Sequence, residues 1–229
     1  MEPGMKILAI IFASLLFSKS ISTQDWADLA KYRTQNEKLG SPADGEKRIV
    51  FFGDSITEGW EGSDPAFFRN KLYINRGIGG QTTPQMLIRF RQDVVSLKPA
   101  VVVILAGTND IAGNTGPSTL EMIEDNLASM SDIAVANGIR VVLCSVLPAM
   151  DYPWKKGLEP APKIAELNKW IRTYSAKKGI VHLDYYSEMA DSQGGLKAEF
   201  TYDGVHPNKA GYEFMAPLAE KVIAEILKF

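Results

Sequence analysis

The chain has 229 residues, with 25 Lys plus Arg against 27 Asp plus Glu, a formal net charge of -2 and an isoelectric point near 5.8. That length suits one domain, and the missing basic excess argues against a nucleic-acid partner. A composition of 45% hydrophobic and 23% charged residues excludes global disorder, and the single cysteine, Cys144, excludes an internal disulfide or a cysteine-based zinc site.

At the amino end, Lys6 precedes an apolar run of 11 residues, Ile7 to Phe17. A membrane-spanning helix needs about 20 such residues, whereas a signal-peptide core needs about 7–15. The small polar stretch Ser18 to Thr23 follows, and cleavage after Ser20 or Ser22 fits a small-x-small site. Residues 1–22 are therefore expected to be a signal peptide, 23–46 an N-terminal extension, and 47–229 the main domain. This predicts a secreted or periplasmic protein with no stable membrane span after cleavage. No cysteine lies near the cleavage region, so lipid attachment there is not supported.

The main domain alternates strands and helices. Arg48 to Phe52, Leu72 to Asn75, Ala100 to Leu105, Arg140 to Val146 and Gly179 to Leu183 read as strands. The third is apolar on both faces, as a central parallel strand must be. Thr83 as cap and Pro84 in the first turn open one helix, and Pro117-Ser118 opens another. A third carries Ile164, Leu167, Trp170, Ile171 and Tyr174 at helical spacing, and the last runs from about Pro207 to Leu227. The expected fold is α/β, a three-layer α/β/α sandwich on a five-stranded parallel sheet. Such sheets place ligands at the carboxyl ends of their strands.

Chemistry-bearing residues follow those strand ends. After the first strand comes Gly53-Asp54-Ser55-Ile56, where Ser55 either caps a helix or presents its hydroxyl above the sheet. After the second comes Gly77-Ile78-Gly79-Gly80-Gln81-Thr82, which fails the dinucleotide spacing because Thr82 replaces the third glycine. It is either a flexible loop or a source of a backbone donor at Gly80. After the third comes Gly107-Thr108-Asn109-Asp110, where Asn109 either closes an Asx turn or donates to a developing oxyanion. Near the C-terminus, Asp203-Gly204-Val205-His206 spaces a carboxylate and an imidazole so that Asp203 can orient the His206 ring. His182, within the fifth strand, has no metal-spaced neighbours and reads as structural, and Cys144 reads as a small core residue.

Together these four blocks resemble the SGNH hydrolase superfamily, also called GDSL-type esterases, with Ser55, Gly80, Asn109 and His206 in the family's chain order. The resemblance implies a flavodoxin-like sheet in strand order 2-1-3-4-5. It implies ester hydrolysis by Ser55, Asp203 and His206, an oxyanion hole of Ser55, Gly80 and Asn109, and no metal or organic cofactor. No G-x-S-x-G elbow occurs, so the common α/β-hydrolase arrangement is absent.

Aromatic residues near the same sheet edge are the candidate substrate contacts: Trp60 after the serine block, and Tyr152 and Trp154 after the fourth strand. They either stack on a sugar or close the domain's own surface. The absence of a long apolar insertion favours small acyl groups, so the expected partner is a small-molecule or carbohydrate ester. A lysophospholipase or thioesterase is the rival within the family. A catalytically inactive flavodoxin-like carbohydrate-binding module is the rival outside it.

Overall fold

A computed structural model describes residues 25–69 and 72–228. The expected signal peptide, residues 1–22, lies outside the described residues. In chain order the elements are α1 (Arg33–Leu39), β1 (Ile49–Gly53), α2 (Ser55–Ser63), α3 (Pro65–Phe68), β2 (Tyr73–Gly77), α4 (Thr83–Asp93), β3 (Val101–Leu105), α5 (Thr108–Ile111), α6 (Leu120–Ala136), β4 (Arg140–Cys144), α7 (Ala161–Lys178), β5 (Val181–Leu183), α8 (Tyr186–Met189) and α9 (Lys209–Ile226). Every strand pairing is parallel, and the order is β2-β1-β3-β4-β5, as expected.

Side chains alternate across each strand, so the apolar strands feed two cores. Val50, Phe52, Val102, Ile104 and Leu143 pack beneath α4, α6 and α7 through Met86, Phe90, Leu127 and Leu167. Ile49, Phe51, Val103, Val142 and Cys144 face the other way, onto Trp60 and Phe67 and onto Tyr212 and Met215 of α9. Each large apolar side chain so buried is worth about 1.5–3 kcal/mol relative to exposure.

Register decides where the chemistry lands. Gly53 at the end of β1 pairs with Gly77 at the end of β2 and Leu105 at the end of β3. The three segments that follow therefore leave the sheet at one level. Gly77 lets β2 approach α2 closely, because a Cβ there would collide with the backbone of Thr57 and Glu58.

Three helix starts differ from expectation, and at one of them Thr119, rather than Pro117-Ser118, opens α6, its side chain accepting the Met122 N–H at 3.3 Å. Thr82, not Thr83, caps α4, in a capping box completed by Gln85. Pro207 sits before the helix rather than in its first turn, and Asn208 caps α9 by accepting the Gly211 N–H at 3.0 Å. Residues 25–46 lie against the domain. Gln81, Gln85 and Gln92 donate their side-chain amides to the carbonyls of Ala27, Trp26 and Leu29.

Candidate active site

Asp54, not Ser55, caps α2, accepting the Ile56 N–H at 3.0 Å. Ser55 becomes the first helical residue, with its hydroxyl free for another partner. That partner is His206 Nε2, at 2.9 Å. The other ring nitrogen, Nδ1, lies 2.7 Å from Asp203 Oδ2.

The Asp203–His206 turn is built locally. Asp203 Oδ1 accepts the backbone N–H of Val205 at 2.9 Å and of His206 at 2.7 Å. Thr201 Oγ1 donates to the His206 carbonyl at 2.7 Å and accepts from Gly204 N–H. Partial burial alone would raise the Asp203 carboxyl, but the His206 backbone N–H, its ring and the Val205 N–H outweigh it and hold the carboxyl below its usual range. An ionised Asp203 makes Nδ1 the protonated nitrogen, and Nε2 then accepts from the Ser55 hydroxyl.

Three groups can donate at Ser55. As the first residue of a helix, Ser55 has a backbone N–H without an intrahelical partner. Gly80 turns the loop after β2 at a φ of +73°. Asn109, buried in α5, donates Nδ2 to the Gln81 carbonyl at 3.0 Å, and its Oδ1 accepts from Asn114 Nδ2 at 2.8 Å. This fixes the amide orientation and leaves one Nδ2 hydrogen unassigned. Asn114 Nδ2 also reaches the Gly80 carbonyl at 3.3 Å. Asp110 braces the loop from the other side, its carboxylate accepting Thr83 N–H at 3.0 Å and Thr83 Oγ1–H at 2.6 Å. Burial raises the Asp110 carboxyl to about 6.

Beneath lies a buried guanidinium. Arg89 donates to the carbonyls of Gly53 and Arg76, both at 2.9 Å, to Gln81 Oε1 at 2.5 Å and to Asp93 at 3.1 Å. It therefore joins the ends of β1 and β2 to the glycine loop.

The three aromatic candidates have different places. Trp60 is 2% exposed and stacks on Phe67 at 4.5 Å, so it is core and cannot meet a substrate. Tyr152 is fully buried, its hydroxyl 3.0 Å from Thr108 Oγ1. It forms the floor under Trp154, with ring centroids 5.1 Å apart. Trp154 is 44% exposed and 5.8 Å from the His206 ring, and its Nε1 donates to Asn114 Oδ1 at 3.1 Å. Sequence reasoning missed Tyr202, which is 72% exposed and nearly parallel to the His206 ring at 5.9 Å. Its signal was its place beside Asp203. It missed Asn114 as well, for which the sequence carries no local cue. His182 is half-buried in β5, and Cys144 is buried, which pushes its thiol far up. Neither adjoins Ser55. Among the described residues, no group of His, Cys, Asp and Glu has a metal-binding arrangement, and no helix is long and apolar enough to cross a membrane.

The GDSL-like lipase/acylhydrolase family pattern matches residues 51–214. The lipoprotein YqeF of Bacillus subtilis (strain 168) is 31% identical over 129 residues, 49% of this chain and 53% of that protein. Esterase TesA of Pseudomonas aeruginosa is 29% identical over 134 residues, 58% of this chain and 60% of that protein. The chain thus spans little more than half the length of these curated relatives. A crystal structure of a Bacteroides fragilis protein assigned as an acylhydrolase superposes with a TM-score of 0.86 at 46% identity, covering 89% of this chain and 99% of that one.

Proposed function

The chain belongs to the GDSL-like lipase/acylhydrolase family, and from that premise we propose that it hydrolyses carboxylic esters through an acyl-enzyme on Ser55. The observation that carries this reading is the unbroken chain Ser55 Oγ, His206 Nε2, His206 Nδ1, Asp203 Oδ2, with spacings of 2.9 and 2.7 Å. His206 takes the Ser55 proton as Oγ attacks the ester carbonyl. Asp203 keeps the ring oriented and stabilises its charged form. The N–H groups of Ser55 and Gly80 and the Asn109 amide receive the oxyanion. His206 then gives its proton to the departing alkoxide, and water, deprotonated by His206 in turn, releases the acid.

The alcohol half of the ester must lie against His206 Nε2, because it collects the proton there. Trp154 and Tyr202 are the exposed rings within 6 Å of that imidazole, so they flank the alcohol. Flat apolar faces beside a polar site suit the CH face of a sugar ring. The substrate is accordingly a small acyl ester, such as an acetyl ester, on a carbohydrate. A lysophospholipid or thioester is the competing substrate, favoured by the exposed Met150 beside the same loop. An inactive carbohydrate-binding module fits the aromatic rings but gives no reason for the aligned serine, histidine and aspartate.

We place the protein outside the cytoplasm, on the apolar run Ile7 to Phe17 and on its similarity to a lipoprotein. The test of function is a hydrolysis panel with wild type and Ser55→Ala. It compares p-nitrophenyl acetate with longer acyl esters, acetylated oligosaccharides, lysophosphatidylcholine and an acyl thioester. Preference for acetyl over long acyl chains and loss of turnover in Ser55→Ala support the reading. Preference for long chains overturns the carbohydrate assignment, and turnover retained by Ser55→Ala overturns the nucleophile.

A further inference from the structure

The glycine loop that presents Gly80 is held from outside the sheet by a charged side chain one turn along α2. Glu58 Oε2 accepts the Gly79 N–H at 2.6 Å. A Cβ built on Gly79 would stand 2.9 Å from that Oε2 and 3.9 Å from Ser55 Cβ, so this glycine leaves the space between Glu58 and the serine open. The second carboxylate oxygen, Oε1, pairs with Lys31 Nζ. Lys31 belongs to the N-terminal segment, outside residues 51–214 that match the family. The same segment meets the loop twice more: Tyr32 donates its hydroxyl to the Gly77 carbonyl, and Ala27 accepts from Gln81 Nε2 at 2.7 Å.

Two consequences follow from elementary electrostatics. Fixing the Gly79 N–H removes that donor from competition and limits the freedom of the next peptide, whose N–H is that of Gly80. Yet a carboxylate beside an oxyanion hole repels the charge the hole must receive. Lys31 cancels that repulsion.

We infer that Glu58 and Lys31 form a positioning pair for this reaction, in which Glu58 aims the glycine loop and Lys31 neutralises Glu58 so that the oxyanion can form. The inference rests on the reading of Gly80 as an oxyanion donor. It makes the N-terminal segment part of the catalytic apparatus, although neither residue touches the substrate. Both side chains are partly exposed, so the pair contributes little to folding.

The experiment compares wild type, Lys31→Met, Glu58→Ala and the double variant Lys31→Met/Glu58→Gln, reading kcat, KM and melting temperature with p-nitrophenyl acetate at two ionic strengths. Glu58→Ala is expected to lower kcat by about 10- to 100-fold, the scale of a misplaced catalytic group, with little change in KM. Lys31→Met is expected to lower kcat several-fold, and the loss shrinks with added salt because a free carboxylate is screened. Adding Glu58→Gln to Lys31→Met restores kcat, since the amide oxygen still accepts the Gly79 N–H but carries no charge. A merely structural pair shows no such rescue. The inference is overturned if Lys31→Met keeps wild-type kcat, if Glu58→Gln fails to rescue it, or if kcat falls only in step with melting temperature. Should Glu58→Ala not fold, the Lys31 pair of variants decides alone. Those failures leave Ser55→Ala inactive, whereas failure of the esterase reading shows as activity in Ser55→Ala.

Discussion

An amide is aimed at a developing oxyanion when its own oxygen is held elsewhere. Asn114 does this for Asn109, accepting nothing from it and donating to Oδ1 at 2.8 Å. Asn109→Ala is therefore expected to lower kcat by about 10²–10³ while KM stays close to wild type, measured by steady-state kinetics on p-nitrophenyl acetate. Asp54 carries a second residue-scale consequence. Burial raises its carboxyl to about 7, while the unfolded chain releases the proton near 3.8. Between about pH 4 and pH 7 the folded chain then holds a proton the unfolded chain lacks, so this group's contribution to stability falls as pH rises through that window and is flat above it. Asp54→Asn keeps an acceptor for the Ile56 N–H and removes the titration. Its stability relative to wild type, from chemical denaturation, should climb steadily from pH 4 to pH 7, by an amount on the order of 4 kcal/mol at most. A difference that stays constant with pH contradicts the assignment. Ser55, His206 and Asp203 were legible because their spacing and order are carried by short local blocks. Glu58 was not, because its partner Gly79 meets it only in the folded loop, and Asn114 was not, because nothing in the residues five positions after Asn109 marks a partner for its amide.

At the scale of elements, the level ends of β1, β2 and β3 turn three separate loops into one site. Gly77 makes this possible by letting α2 lie against β2. Gly77→Ala drives a methyl into helix backbone that cannot rotate away, at a cost of about 1–3 kcal/mol for overpacking. It also shifts the start of α2, where Ser55 sits. Chemical denaturation and kcat should therefore fall together, and a stable, fully active variant would show that the approach is looser than the geometry indicates. The strands were readable to within about two residues because apolar β-branched runs are local. The cap of α4 slipped by one residue, although Thr82 stands three before Gln85, the spacing of a capping box. Pro84 drew the start one residue too far along. Trp60 was misplaced for a helical reason. Five residues beyond Ser55 is about 140° round α2, which points the indole away from the sheet edge and into the core.

Across the whole molecule, the site lies at the carboxyl edge of the sheet, with Trp154 from the loop after β4 and Tyr202 from the turn before α9 each within 6 Å of the His206 ring. Two distant stretches of chain each bring a ring to His206, which is why the sequence did not associate Tyr202 with Trp154. If the rings hold the alcohol, Tyr202→Ala and Trp154→Ala raise KM for an acetylated oligosaccharide by roughly tenfold, the worth of one good aromatic contact, and leave KM for ethyl acetate unchanged. Equal effects on both substrates would place the rings in a purely structural role. The three layers and the parallel sheet were expected from the alternation of strands and helices, and the strand order from the family resemblance, while the N-terminal segment's hold on the glycine loop was not. The most direct test of the account is to treat the protein with a fluorophosphonate and locate the adduct by peptide mass spectrometry. One adduct per chain is expected, on Ser55, with loss of ester hydrolysis in proportion, and none in Ser55→Ala or after His206→Ala at matched times. Labelling at another residue, or full hydrolysis by protein modified at Ser55, would contradict it.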